Sequence, residues 1–215
     1  MIEAKSNRIV NWKNGKEAFV LESIHQEEVN IAIYERDIAQ LKNEIDALLG
    51  QGIVFKASGT FDSIVNEMLS VLDPAKFGLL IEDMKRMLIH FKNIMQIEQF
   101  RFLLAKVDSN MCKKLHTDIN DVRLLCTYSG PGTVWLSDDN VDRKALSDFN
   151  ENASIAIDEN KVQQAKTGAV VLLKGAIYPN ESTRAIVHRS PTIEESGEQR
   201  LLLRIDTNET LNLWN

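Results

Sequence analysis

At 215 residues, with 44% hydrophobic and 26% charged side chains, the chain has the make-up of a globular protein able to bury one sizeable core. A net charge of −6 and a pI near 5.3 disfavour a general nucleic-acid or anionic-membrane surface. With only Cys112 and Cys126 there is no disulfide framework; a polar N-terminus and the lack of a membrane-length apolar run predict a soluble, cytoplasmic protein.

Taken in order, residues 1–20 lack periodicity and have Trp12 as their one large anchor. Val29–Tyr34 is short, apolar and β-branched, which predicts a strand. Asp37 is placed to cap a helix running to about Leu49, with Ile38, Leu41, Ile45 and Leu48 as its apolar stripe and Gly50 as its end. Thr60 or Asp62 opens a second helix with Ile64, Met68 and Val71 inward, broken at Asp73-Pro74. A third runs to about Met95 and turns Leu80, Met84, Met87, Leu88 and Phe91 to the core. His25 and His90 lie in this half without a second ligand at metal-binding spacing, and read as helix or surface histidines.

From Gln99 the period changes to two. Phe100–Ala105, Val122–Tyr128, Thr133–Leu136, Ser154–Ile157, Gly168–Lys174, Ala185–His188 and Leu201–Asp206 read as short strands separated by turns. Residues 137–153, acidic and polar, read as a solvated insertion. Gly130-Pro131-Gly132 reads as a turn, because no Lys-Ser/Thr follows it. The expected architecture is a single α+β domain over 1–215: a mainly helical part, 1–97, packed on a β-rich core, 98–215, built as a sandwich, jelly roll or barrel.

His116-Thr117-Asp118 offers an imidazole and a carboxylate from one extended stretch, since residues two apart point the same way. His188, ending the apolar run Ala185–Val187, is placed to supply the second imidazole of a facial metal site holding ferrous iron. Downstream, Arg200 and Arg204 share one face of RLLLRID, where a dry core would penalise them unless a carboxylate is held there. Against this stands a plainer reading: His116 and Asp118 form a hydrogen-bonded loop, His188 is a satisfied core histidine, and the arginines pair with Glu194, Glu198 or Asp206. Cys112, just before His116, is either a further ligand favouring zinc or, as preferred here, a small buried residue. Cys126 alternates with Leu124 and Tyr128 and reads as core.

The pattern His-X-Asp, distal His, then Arg, with HRSPTIEESGEQR around the last two, resembles the ferrous iron and 2-oxoglutarate-dependent dioxygenases of the prolyl-hydroxylase-like group. That resemblance implies a double-stranded β-helix (jelly-roll or cupin-like) core. It makes His116, Asp118 and His188 the iron ligands and Arg200 the residue that binds the far carboxylate of 2-oxoglutarate. Tyr128 would bond the same co-substrate. The gap from His188 to Arg200 is slightly longer than is usual there, so Arg204 competes for the role. The implied activity is hydroxylation of a protein side chain, a small metabolite or a modified nucleotide; proximity in sequence puts Trp135, Arg123 and 137–153 near the substrate. The alternative is a cupin-like iron- or zinc-binding protein without oxygenase activity. HTDINDVRLLCTYSGPGTVWL, GAVVLLKG and HRSP together also resemble a bacterial family known as domain of unknown function 1826, over most of residues 20–210. That family brings no established activity.

Overall fold

The computed structural model describes residues 11–147, 154–180 and 183–207. The chain begins with β1 (Trp12–Gly15), a 3₁₀ helix over Ala18–His25, and β2 (Ile31–Tyr34). After a 3₁₀ turn come α1 (Lys42–Gln51), β3 (Val54–Gly59), α2 (Phe61–Val71) and α3 (Pro74–Met95). The second half carries β4 (Phe100–Val107), β5 (Val122–Ser129), β6 (Val134–Leu136), the short α4 (Arg143–Ser147) and β7 (Gln163–Gln164). It closes with β8 (Val170–Lys174), β9 (Val187–Arg189) and β10 (Arg200–Thr207).

Local chemistry sets the helix ends. Thr60 Oγ1 accepts the Ser63 amide to start α2; Asp73 accepts from Ala75 with Pro74 in the first turn of α3. Helix α1 runs through Gly50 and stops at Gly52, whose φ of +66° a glycine adopts freely. Within α3 the backbone leaves helical geometry at Phe77, and the Glu44 carboxylate of α1 accepts the Leu79 and Leu80 amides just beyond, at 3.2 and 2.8 Å. That contact ties the two helices together where the hydrogen-bond ladder is interrupted.

The strands form a large sheet, in the order β1-β2-β8-β5-β10-β4-β3, and a small one, β7-β6-β9. All neighbours are antiparallel except β1 and β2. Alternation then assigns two faces. Leu124, Cys126 and Tyr128 of β5, with Leu201, Leu203 and Ile205 of β10, join Ile64, Met68, Leu80, Met84, Leu88 and Phe91 of α2 and α3 in one core cluster. Leu125 of β5, Leu202 of β10 and Leu103 of β4 join Trp135 and Ile186 in a second cluster between the sheets. The protein is thus mixed α/β, with one large sheet covered by helices on one face and partly by the small sheet on the other.

Several local expectations change. Val71 is 53% exposed on α2, where Val65 takes the inner position beside Ile64 and Met68. Ser154–Ile157 is no strand; Ala156 makes a single bridge to Val141. The stretch after Leu136 is partly packed rather than simply solvated: Val141 joins Leu136, Ala156 and Val187 in a small cluster, and Asn140 is buried. Residues 148–153 of that stretch lie outside the described residues. Cys112 is exposed, not buried, whereas Cys126 is core.

Candidate metal centre

The small sheet brings the two histidines together. His116 and His188 exchange backbone hydrogen bonds, each amide donating to the other's carbonyl at 3.0 Å, so two segments far apart in sequence lie side by side. On its other side His188 pairs with Trp135 of β6, and directly opposed residues point to one face. Because Trp135 belongs to the cluster between the sheets, His188 is turned into that same space.

Each imidazole is oriented through its Nδ1. His116 Nδ1 lies 2.9 Å from the Lys114 carbonyl and His188 Nδ1 3.3 Å from that of Ile186. With Nδ1 donating, Nε2 presents a lone pair to the site. Asp118 completes the group: its two carboxylate oxygens stand 3.6 Å from His116 Nε2 and 3.5 Å from His188 Nε2. One ligand atom from each residue lies within 4.8 Å of the other two. Among the described residues these are the His, Cys, Asp and Glu side chains that converge closely enough to hold an ion, and Cys112 is not with them.

Asp118 is braced from behind. Arg123 Nη1 donates to its Oδ2 at 2.5 Å while Arg123 Nε donates to Asp206 Oδ1 at 2.6 Å. Burial alone would raise the Asp118 carboxyl; the nearby imidazoles of His116 and His188 and the guanidinium of Arg123 outweigh it and hold it at about 2. Burial pushes His188 down to about 4 against the attraction of Asp118. His116, less enclosed, is raised by the carboxylate of Asp118. Two of the three groups are therefore in their metal-binding protonation states at neutral pH.

Arg200 and Arg204 share a face of β10, as the period of two requires, but differ in surroundings. Arg204 Nε lies 3.0 Å from Asp206 Oδ2, an ionic contact on a half-exposed side chain. Arg200 is 1% exposed; its Nη2 donates to Thr127 Oγ1 at 3.0 Å, and its buried Nε has no partner. Burial lowers this guanidinium to about 10. Gly130, at φ +78°, lets the turn pack here, since a Cβ would stand 2.3 Å from the Gln199 carbonyl and 2.9 Å from Arg200 Cγ.

Tyr128 is not brought to this group. It faces the helices, where its hydroxyl donates to Asp83 Oδ2 at 2.8 Å, and Asp83 also receives both Nη groups of Arg36 at 2.6 and 2.9 Å. His25 contacts the Tyr178 hydroxyl and does not join His116 and His188. Asp206 entered the sequence reading only as a partner for arginine; buried between Arg123 and Arg204, it links the site to the open part of the sheet.

Residues 15–206 match the family model described as "Protein of unknown function (DUF1826)". The chain belongs to that family. No curated protein matches it in sequence. Among solved structures it is similar to the dioxygenase for auxin oxidation 1 of Arabidopsis thaliana in complex with 2-oxoglutarate, at 11% identity over 92% of each chain and a TM-score of 0.52. A Pseudomonas putida prolyl-4-hydroxylase is similar at 13% identity, over 88% of this chain and 92% of that one, with a TM-score of 0.47. The DUF1826 chain thus resembles the Arabidopsis dioxygenase in fold. Among its described residues no helix is long and apolar enough to cross a membrane.

Proposed function

We propose that this DUF1826 protein is a non-haem iron and 2-oxoglutarate-dependent oxygenase whose paired sheets form a double-stranded β-helix within a single domain. His116, Asp118 and His188 would hold the iron, and Arg200 would bind the far carboxylate of 2-oxoglutarate. The single observation that carries this reading is Arg200: a guanidinium 1% exposed, with one hydroxyl partner and an unpartnered Nε, on the sheet face that also carries Arg123, the partner of Asp118. A buried charge left so poorly satisfied costs stability unless an anion binds it, and a carboxylate meets a guanidinium with two parallel hydrogen bonds. A protein that only stored a metal would have no use for it.

The donor set fits the ion. Two imidazoles and one carboxylate form the facial arrangement that suits ferrous iron and leaves positions open, and the same donors accept zinc. Bound iron and 2-oxoglutarate would supply the oxidation of a C–H bond by dioxygen. The chain's own contribution is orientation and charge. The Lys114 and Ile186 carbonyls fix the imidazole rings, Arg123 anchors Asp118, and the Thr127 hydroxyl positions Arg200. Arg204, already paired with Asp206, is left for another role, and Tyr128 serves the helix-side core. The substrate is a small molecule or a protein side chain presented to the space between the sheets.

Equilibrium dialysis under anaerobic conditions tests the ligand set. One ferrous ion per chain is expected for the native protein, with occupancy lost in His116→Ala, Asp118→Ala and His188→Ala. Undiminished iron in all three variants would remove the assignment.

A further inference from the structure

On the large sheet, the face that carries the metal-site arginine continues past the small sheet toward the edge strand β3. The register sets four residues side by side across four strands: Ser58 opposes Arg101, Arg101 opposes Asp206, and Asp206 opposes Arg123. The next row runs Lys56, Leu103, Arg204, Leu125. Directly opposed residues share a face, so Lys56, Ser58, Arg101 and Arg204 gather on one side and line a cleft of about 370 Å³, closed at its rim by Glu67 of α2.

The cleft is basic in an acidic protein. Lys56, Arg101 and Arg204 face a single lining carboxylate, while the chain as a whole carries −6. Among the described residues Lys56 and Arg101 have no ion-pair partner, and Arg101 Nε is buried without a hydrogen bond. Asp206, the nearest carboxylate along the row, is already held by Arg123 and Arg204. From there the contacts run unbroken to the metal ligand: Arg204 to Asp206 at 3.0 Å, Asp206 to Arg123 at 2.6 Å, Arg123 to Asp118 at 2.5 Å. Strands lie about 4.8 Å apart, so Arg101 is two strand spacings, about 10 Å, from Arg123. Arg200 and Arg204 are separated by about 13 Å along β10, which sets the cleft apart from the buried arginine.

We propose that this cleft binds the anionic end, a carboxylate or phosphate, of the small-molecule substrate whose other end meets the metal. The proposal rests on the oxygenase reading of that metal. Its volume lies at the small end of ligand sites, which suits a metabolite-sized molecule. The cations would hold the anion by charge-assisted hydrogen bonds and steer it to the site.

The test uses the full chain, ¹⁵N-labelled and loaded with zinc as a diamagnetic stand-in, titrated separately with inorganic phosphate, benzoate and 2-oxoglutarate. Saturable amide shifts at Lys56, Ser58 and Arg101 are expected with phosphate or with benzoate, and the one that responds identifies the anion. Arg101→Ala and Lys56→Ala should each weaken that response about tenfold, the loss of one charge-assisted hydrogen bond. The separate response to 2-oxoglutarate around Thr127 and Arg200 should stay unchanged. Phosphate and benzoate shifts centred on Arg200, or surviving both substitutions, would overturn the proposal. A 2-oxoglutarate response with none at the cleft removes the cleft alone. A cleft response without any 2-oxoglutarate binding overturns its link to the metal and the oxygenase reading with it.

Discussion

At the scale of the residue, Arg200 and His116 make the sharpest predictions. Arg200 is buried with its charge uncompensated, so Arg200→Met should leave the unliganded protein as stable as before or more so, because an apolar chain replaces an unpaired cation. The same change should cost roughly 2–3 kcal/mol of 2-oxoglutarate binding, about a hundredfold in affinity, measured by calorimetry. A marked loss of thermal stability would make Arg200 a structural residue instead. His116 controls the pH response. With Asp118 held at about 2 and His188 at about 4, both are deprotonated near neutrality. His116, raised by Asp118, is the first of the three to take up a proton as pH falls, and a metal must then displace it. Metal affinity should therefore be flat above the His116 pKa and fall about tenfold per pH unit below it. The convergence of His116, Asp118 and His188 was legible in the sequence because His-X-Asp and a strand-ending histidine carry their geometry with them. Tyr128 was not: alternation places it on a strand but does not say which face meets the helices, and Asp83, its partner, sits far away on α3.

At the scale of the element, the helices are fastened to the sheet by ionic contacts that periodicity cannot reveal. Asp83 of α3 binds Arg36, which follows β2, and Tyr128 of β5, joining three elements in one buried network. Removing one side of a buried pair leaves the other charge stranded, so Asp83→Ala should lower unfolding free energy by about 3–5 kcal/mol in urea titration. Tyr128→Phe, which deletes one hydrogen bond, should cost about 1 kcal/mol. Burial tends to raise the Asp83 carboxyl, but the hydrogen bonds and charge of Arg36 more than offset this and leave it lowered. A depressed carboxyl contributes stability that is fully present above its unfolded value, near 4, and is lost as pH falls through the folded value. Stability should thus decline in acid, less steeply in Asp83→Asn. Glu44→Ala, which frees the Leu79 and Leu80 amides at the α3 kink, should cost about 1 kcal/mol. The helices themselves were readable from their stripes and caps. Strands β1 and β3 were not: both are edge strands, WKNG carries a single apolar residue, and the alternation of Phe55 and Ala57 with Lys56 and Ser58 is short and half polar.

For the molecule as a whole, the large sheet separates two jobs. Its helix-facing side is an apolar core around the Arg36–Asp83–Tyr128 network, and its other side meets Trp135, the neighbour of His188, and carries Arg200 and the basic cleft. Strands β1, β2 and β3, from the first sixty residues, belong to that same sheet, so the early part of the chain does more than pack helices on it. Period and turn residues made short strands visible but not their order, which places β10 between β5 and β4 through pairings distant in sequence. Fold similarity to the Arabidopsis dioxygenase and the convergence of His116, Asp118 and His188 arise from independent features of the chain, and together they define one experiment. The protein should be prepared without oxygen, supplied with ferrous iron and 2-oxoglutarate, and examined by visible absorption. The account predicts a weak metal-to-ligand charge-transfer band that disappears in both His188→Ala and Arg200→Met. Iron binding with no band on adding 2-oxoglutarate would contradict it.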